Sequence, residues 1–356
     1  MMKRKKRYGG LIVCLILMSV FGLFFWYITK PSKIGIAKKE LKTITNLSDL
    51  KANWDKYISF QANEDYIELV RDKAKKIISN DDELKEVKTW LPAQQTVVNF
   101  IVVPDLSNRI TRIQGQFQKD TAIIHYIWKE FVRISSTYNE KQNKNKFTLD
   151  LTDRNQAGAA IQLLADSLIT DISKKGANIP TRTYLEKESA DKLKEMDLIY
   201  QMAFKTPTTG ADYWEFFEKR LENPKSTIDI DFKNIVFLIT DGYLETQNRN
   251  YTNCSLAYQD FNSNMLSNSF EHSKFFIPKC PSVDLANTDI CLLEVRERES
   301  GRFKDATILK MYWYYWFKSM GFENTSFSNF AFFESKDALQ STKNEISKFI
   351  KSSMKD

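Results

Sequence analysis

Apolar and polar residues alternate along this chain in two kinds of block. Short, nearly continuous apolar runs, such as residues 96–103 and 235–239, are rich in Val, Ile and Phe and end at polar residues. Such runs are typical of strands buried on both faces of a parallel sheet. The longer segments between them have apolar residues at every third or fourth position, which predicts amphipathic helices. The alternation predicts an α/β fold: a doubly wound, mostly parallel sheet with helices on both faces.

The predicted elements follow one another from residue 95 to residue 350, which we take as one domain. Strands are predicted at 96–103, 147–151, 235–239, 289–295 and 327–333. Helices are predicted at 119–138, 155–174, 185–204, 212–221, 305–320 and 336–352. The aromatic residues of 305–320 repeat at helical spacing, which favours core packing over a ligand site. Residues 243–288 are rich in Asn and Ser and predict a polar insertion, with a short helix near 261–270.

The N-terminus has the pattern of a membrane anchor. Residues 1–7 form a basic tail that precedes an uncharged, apolar run from Tyr8 to Thr29. A run of about 20 such residues is long enough to cross a bilayer as a helix. Trp26 and Tyr27 lie at its far end, where interfacial aromatic residues are common. A cleaved signal peptide is the alternative, but its apolar core is usually shorter. We predict an uncleaved transmembrane helix at 8–29.

The basic residues on either side of this apolar run predict on which side of the membrane the rest of the chain lies. The dense basic tail favours a cytoplasmic N-terminus, with the body in the periplasm or outside the cell. Lysines that follow the run weaken this signal. Residues 30–94 predict a linker and a helical stalk, because apolar residues recur at helical spacing as far as Pro92.

The positive charge of the chain belongs to this N-terminal part. The formal net charge is +7, but residues 1–42 alone contribute +9, which leaves −2 for the remainder. A nucleic-acid-binding domain is expected to carry its basic residues on the folded surface. We therefore predict no nucleic-acid binding.

The four cysteines and two histidines do not form a zinc motif. No Cys-x-x-Cys pair is present, so any metal would be a hard ion held by oxygen atoms. Cys254 and Cys280 lie in the insertion and could form a disulfide in an oxidising compartment. The alternative is that they remain thiols, because two cysteines in one loop need not face each other. Cys291 opens an apolar strand and is predicted to be buried and unpaired.

Polar residues follow the predicted strands at points that meet in such a fold. Asp105 and Ser107 follow the first strand, Thr208 and Thr209 precede a helix, and Asp241 follows the strand at 235–239. The carboxyl ends of parallel strands share one edge of the sheet, where open α/β sheets build their sites. Carboxylates and hydroxyls without His or Cys favour Mg²⁺ or Mn²⁺. The alternative for the first loop alone is a turn or a helix cap.

These segments resemble the von Willebrand factor type A (vWA-like) domain. Asp105-Leu-Ser107-Asn-Arg109 is similar to that family's Asp-x-Ser-x-Ser, and the apolar strand ending in Thr240-Asp241-Gly242 is similar to its Thr-Asp-Gly strand. The turn 206–210 before a helix supplies the threonines. The resemblance covers about residues 95–350. It implies a Rossmann-like sheet, a metal-ion-dependent adhesion site and a role in protein–protein binding without catalysis, in which the metal engages an acidic group of the partner.

Arg109 departs from the family pattern, which has Ser at that position. A guanidinium group cannot ligate a cation. Arg109 could therefore pair with Asp105 or Asp241 and replace the metal, or it could point away and leave a metal with one more water. The pattern also leaves open whether Thr208 or Thr209 would be the ligand.

Two other functions compete with the binding module. A metal-dependent phosphohydrolase of the haloacid dehalogenase type also places an Asp after its first strand, but it requires a second Asp two residues later, where this chain has Ser107. A purely structural scaffold is the other alternative, with Arg109 in place of an ion.

Overall fold

The structure is a computed structural model that describes residues 33–138, 143–244, 277–296, 305–322, 330–336 and 338–354. The chain divides into two compact units, one up to Gln94 together with Thr227–Asp229, and one that contains the remainder. No helix within the described ranges is long and apolar enough to cross a membrane. The predicted span at 8–29 lies outside those ranges.

The first unit is helical, in agreement with the spacing of its apolar residues. Its helices are α1 (Lys33–Thr43), α2 (Leu47–Lys56), α3 (Glu64–Ile77) and α4 (Asp81–Lys88), with a 3₁₀ turn at Ile58–Phe60. Three of the four helices begin after an asparagine whose side chain accepts a hydrogen bond from the N–H three residues later. Their apolar faces bury Trp54 against Tyr66, with ring centroids 5.9 Å apart.

The second unit is built on a six-stranded sheet of order β3-β2-β1-β4-β5-β6. The strands are β1 (Gln95–Pro104), β2 (Lys146–Leu149), β3 (Ile169–Asp171), β4 (Ile230–Ile239), β5 (Thr288–Val295) and β6 (Phe330–Glu334). The helices are α5 (Arg109–Arg112), α6 (Gln116–Ser135), α7 (Arg154–Ser167), α8 (Thr181–Lys205), α9 (Tyr213–Lys219), α10 (Asp305–Ser319) and α11 (Leu339–Ser353). The predicted α/β class with a mostly parallel sheet is confirmed.

Strand β3 and the short helix α5 are elements that the apolar pattern did not predict. A helix was predicted to continue to residue 174, but α7 ends at Ser167. The chain then turns back and pairs antiparallel with β2, with Phe147 opposite Thr170. In the sequence, Ile172 lies at the spacing expected of the predicted helix. In the structure it belongs to a short 3₁₀ turn, and its side chain is buried there. Pairing with β2 therefore overrides the local helical pattern here.

Alternate residues of the central strands pack into two separate cores. Phe100 and Val102 of β1 lie in one core with residues of α6, α7, α8 and α11. Ile101 and Val103 lie in the other core with residues of α9 and α10. Because successive side chains of a strand point to opposite faces, helices cover both faces of the central strands. The predicted core packing of the aromatic helix is confirmed, since Trp313 and Trp316 of α10 are fully buried.

The order of the strands creates a crevice between β1 and β4. These two strands pair along their whole length, with Pro104 opposite Ile239 at their carboxyl ends. From β1 the chain proceeds to β2 on one side, and from β4 it proceeds to β5 on the other side. Ligands of open α/β sheets bind in the crevice at such a switch in direction.

The insertion and its cysteines are described in part. Residues 245–276 of the predicted insertion lie outside the described residues, as does the short helix predicted there, and Thr288 already belongs to β5. Cys280 is buried, with its sulfur 3.7 Å from the carbonyl oxygen of Trp214. Cys254 is not among the described residues, so a bridge between them stays a prediction. Cys291 is buried and unpaired, as predicted.

Candidate functional site

The loop after β1 holds Asp105 in a fixed orientation. The backbone N–H of Asp105 donates to the carbonyl of Ile239 at 2.9 Å, which extends the pairing with β4 by one residue. The N–H of Ser107 donates to one carboxylate oxygen of Asp105 at 2.9 Å. The hydroxyl of Thr240 donates to the other oxygen at 3.3 Å. Asp105 is therefore buried with hydrogen bonds to both of its oxygens.

The threonine loop lies directly beside this segment. Ser107 and Thr208 form an isolated parallel bridge, and the N–H of Thr208 donates to the carbonyl of Leu106 at 3.1 Å. The hydroxyl of Thr208 donates to the carbonyl of Gly210 at 3.0 Å. The N–H and hydroxyl of Thr209 donate to the side-chain oxygen of Gln156 at 2.9 and 2.8 Å. Both threonine hydroxyls thus have acceptors within the protein.

The loop after β4 places Asp241 at the same edge. The N–H of Tyr243 donates to a carboxylate oxygen of Asp241 at 3.1 Å, and the N–H of Arg296 donates to its carbonyl at 3.2 Å. Gly242 has a φ of 93°. Its carbonyl accepts a hydrogen bond from the Trp313 indole at 2.9 Å. The tight turn that aims Asp241 is thereby anchored to α10.

Replacement of Gly242 by alanine is expected to lower the free energy of unfolding by about 2–3 kcal/mol, from backbone strain and overpacking together. An added Cβ would lie 3.0 Å from Val295 and 3.2 Å from Leu309 at a φ that favours glycine. Gly115→Ala is the matched control, because Gly115 has a φ of 77° with no atom near the added Cβ. Urea denaturation of both variants separates strain from crowding. Equal losses would contradict the crowding contribution.

These loops line one cleft of about 480 Å³. Four of the five predicted site residues, Asp105, Ser107, Thr209 and Asp241, line it together with Arg109. Thr208 is buried beside Ser107 and does not line the cleft. Of the two threonines that the sequence left open, Thr209 is the one that faces this space.

Arg109 is buried against two carboxylates. Its Nε lies 3.5 Å from Asp105, and its Nη2 lies 2.5 Å from Asp120 and 3.2 Å from the carbonyl of Ile239. Burial works to lower the pKa of Arg109, but the charges of Asp120 and Asp105 outweigh it and raise that pKa above its usual range. Arg109 is therefore a permanent positive charge at the base of the cleft.

Asp120 and Gln116 complete this charge cluster, and the sequence did not single them out. The amide of Gln116 donates to Asp120 at 2.7 Å. Burial raises the pKa of Asp120 to about 7, although Arg109 and Gln116 act to lower it. The sequence did contain a sign of this buried acid. Asp120 lies four residues before Ile124, so both side chains lie on the same, buried face of α6.

A second buried carboxylate, Glu294 of β5, adjoins the first cluster. It forms an ion pair with Lys119 at 2.7 Å and accepts hydrogen bonds from Ser335 at 2.7 Å and from Gln116 at 3.3 Å. Its φ is 67°, an uncommon conformation for a residue other than glycine. The sequence signal was a Glu inside an apolar strand. The network shows that polar contacts connect the cleft residue Arg109 with β5 and β6.

The residues present fit a divalent ion poorly. An ion held by Asp105 would lie about 2.1 Å from a carboxylate oxygen, and an oxygen of that carboxylate is already 3.5 Å from Arg109 Nε. Within the described part of the chain, no three His, Cys, Asp or Glu side chains are grouped so that they could hold a metal.

No protein-family model, curated protein or solved structure matches this chain.

Proposed function

We propose that this chain is a membrane-anchored, vWA-like protein-binding module whose cleft at the carboxyl ends of β1 and β4 docks a partner protein without catalysis. The observation that carries the proposal is that residues from three separate loops, Asp105, Thr209 and Asp241, line one cleft at the switch point of the sheet. In this proposal the domain is doubly wound and Rossmann-like. The segment 8–29 anchors it, residues 30–94 space it from the bilayer, and the body lies outside the cytoplasm.

We propose further that Arg109 takes the place of the Mg²⁺ or Mn²⁺ that the vWA resemblance implies. Carboxylates at close range repel unless a positive charge lies between them. Arg109 supplies such a charge to Asp105 and Asp120 at 3.5 and 2.5 Å. A divalent ion beside this guanidinium would add repulsion, so the geometry supports a metal-free module.

Divalent metal is expected to leave the thermal stability unchanged. A ligand that binds only the folded state at 100 times its Kd would stabilise it by about 2.7 kcal/mol. Melting curves of the protein in EDTA and in millimolar Mg²⁺ or Mn²⁺ should therefore superimpose. A rise in melting temperature with metal that the Asp241→Ala variant lacks would contradict the metal-free proposal and restore the metal site.

The docking role is tested by blocking the cleft. Thr209 is exposed and lines it, so the uncharged, bulky substitution Thr209→Trp should fill the cleft while the fold is kept. Leu163→Trp is the matched control, since Leu163 is 70% exposed on α7 and does not line the cleft. Affinity capture from detergent-solubilised membranes should recover a partner with the native chain and with the control, in EDTA as well. Recovery of that same partner by the Thr209→Trp variant would overturn the proposal.

A further inference from the structure

We infer that the cleft recognises a carboxylate of the partner protein, held directly by Arg112 and Arg296 and not through a metal ion. This inference rests on the proposed docking role and adds the chemistry of the group that is docked. The two arginines come from different parts of the sheet edge. Arg112 is the last residue of α5, which follows β1, and Arg296 directly follows β5.

The acids at the floor of the cleft already have donors. Asp105 accepts from Ser107 and Thr240 and lies beside Arg109. Asp241 accepts from the N–H of Tyr243. Because these acceptors are satisfied, the floor has little need of a cation from outside.

The other charged side chains that line the cleft are those of arginines, which are hydrogen-bond donors. Arg112 and Arg296 are exposed, and both line the cleft. Neither pairs with a carboxylate of the described residues, whereas Arg154 and Arg220 of the same domain each pair with Asp150. The buried Arg109 also lines the cleft, and its Nη1 has no hydrogen-bond acceptor among the described residues. A cleft with two exposed arginines that have no carboxylate partner among the described residues is suited to an anion.

The backbone around the two arginines is fixed. The N–H of Arg296 donates to the carbonyl of Asp241 at 3.2 Å, and its guanidinium donates to Ser335 at 3.2 Å. The N–H of Arg112 donates to the carbonyl of Asn108 at 3.0 Å. The Arg296 side chain, held by Ser335, loses less conformational freedom when it binds, and the planar guanidinium group of each arginine matches the two oxygens of a carboxylate.

The charge of the cleft favours a carboxylate over a phosphate. Its charged lining residues are three arginines (Arg109, Arg112 and Arg296) and two aspartates (Asp105 and Asp241), which gives a net charge of 3 − 2 = +1. A carboxylate carries one negative charge and matches this net charge. A phosphate group carries close to two negative charges at neutral pH and exceeds it.

Binding of acidic peptides to the full-length chain in detergent tests the inference. The probe is a fluorescein-labelled peptide with three consecutive glutamates, and fluorescence anisotropy is measured in EDTA and in Mg²⁺. We expect saturable binding that is equal in both and weakens as salt is raised. The Arg112→Gln/Arg296→Gln double variant should bind at least about tenfold more weakly, a change of about 1.4 kcal/mol. The matched control, Arg182→Gln, changes an exposed arginine of α8 and should bind normally.

Each further outcome decides for or against the inference. The same peptide with glutamines should not bind, and a phosphoserine peptide should bind more weakly than the glutamate peptide. Tighter binding of the phosphopeptide, absence of saturable binding, or equal binding by the double variant would overturn it, provided that the variant melts like the native chain. If the Thr209→Trp variant blocks capture of the partner while the arginine double variant does not, only the carboxylate inference fails. If Thr209→Trp has no effect, the docking role fails first.

Discussion

Arg109→Ala is expected to lower the free energy of unfolding by about 3–5 kcal/mol at pH 8, the usual cost of breaking a buried ion pair by removing one partner. The substitution leaves Asp105 and Asp120, which are 1% and 0% exposed, without their shared counter-charge. Chemical denaturation monitored by tryptophan fluorescence measures the loss. The reference variant is Arg112→Ala, which changes the same residue type three positions later at an exposed site and should cost less than about 0.5 kcal/mol.

The pH dependence of this loss has a defined sign. Burial already raises the pKa of Asp120 from 3.8 to about 7, and Arg109 acts against that rise. Without Arg109 the folded-state pKa goes higher still, so the folded variant holds a proton that the unfolded chain releases. The contribution of this proton to the stability of the variant is complete below about pH 4 and is lost as the pH rises toward the folded-state pKa, which in the variant lies above 7. In the native chain the loss ends near pH 7, so the two chains diverge further above that pH. A loss that is equal at pH 5 and pH 8 would contradict the buried-charge account, and Asp120→Asn should restore part of the stability of Arg109→Ala.

Lys119→Met is expected to cost about 2–4 kcal/mol, somewhat below the usual figure for a fully buried pair. Lys119 is the cation within 2.7 Å of Glu294, whose side chain is fully buried, while the lysine side chain is 16% exposed. Methionine keeps much of the length and packing of lysine but removes its charge. The carboxylate of Glu294 would retain hydrogen bonds from the neutral groups of Ser335, Gln116 and Thr342, but no charged partner among the described residues. Equilibrium denaturation in urea measures this cost.

A double-mutant cycle separates the charge from the packing. Glu294→Gln removes the negative charge at nearly constant shape, so Lys119→Met should cost much less in that background than in the native chain. Lys75→Met is a suitable surface control, since Lys75 pairs with Asp229 at 2.8 Å but is 42% exposed, and exposed pairs contribute little. Additive effects of Lys119→Met and Glu294→Gln would show that the ion pair does not stabilise the fold.

The sequence by itself determined the class of the fold. The apolar runs at 96–103 and 235–239 became the two central strands, because a strand buried on both faces carries apolar residues at successive positions. The sequence also predicted that Asp105 and Asp241 lie at the same edge of the sheet, since both follow the carboxyl ends of parallel strands. The transmembrane helix, the vWA resemblance and the partner remain predictions from the sequence.

Tertiary structure decided the position of β3 and the surroundings of Arg109. Three residues after α7 form a strand only because β2 offers an unpaired edge, which no local pattern records. From the sequence, Arg109 could either pair with an aspartate in place of a metal ion or point away from the site. Its contact with Asp120 depends on how α6 packs against the end of β1, and its distance from Asp105 depends on the turn between them. Local periodicity determines which face of an element is buried, whereas the meeting of charges from separate elements is determined only when the sheet and its helices assemble.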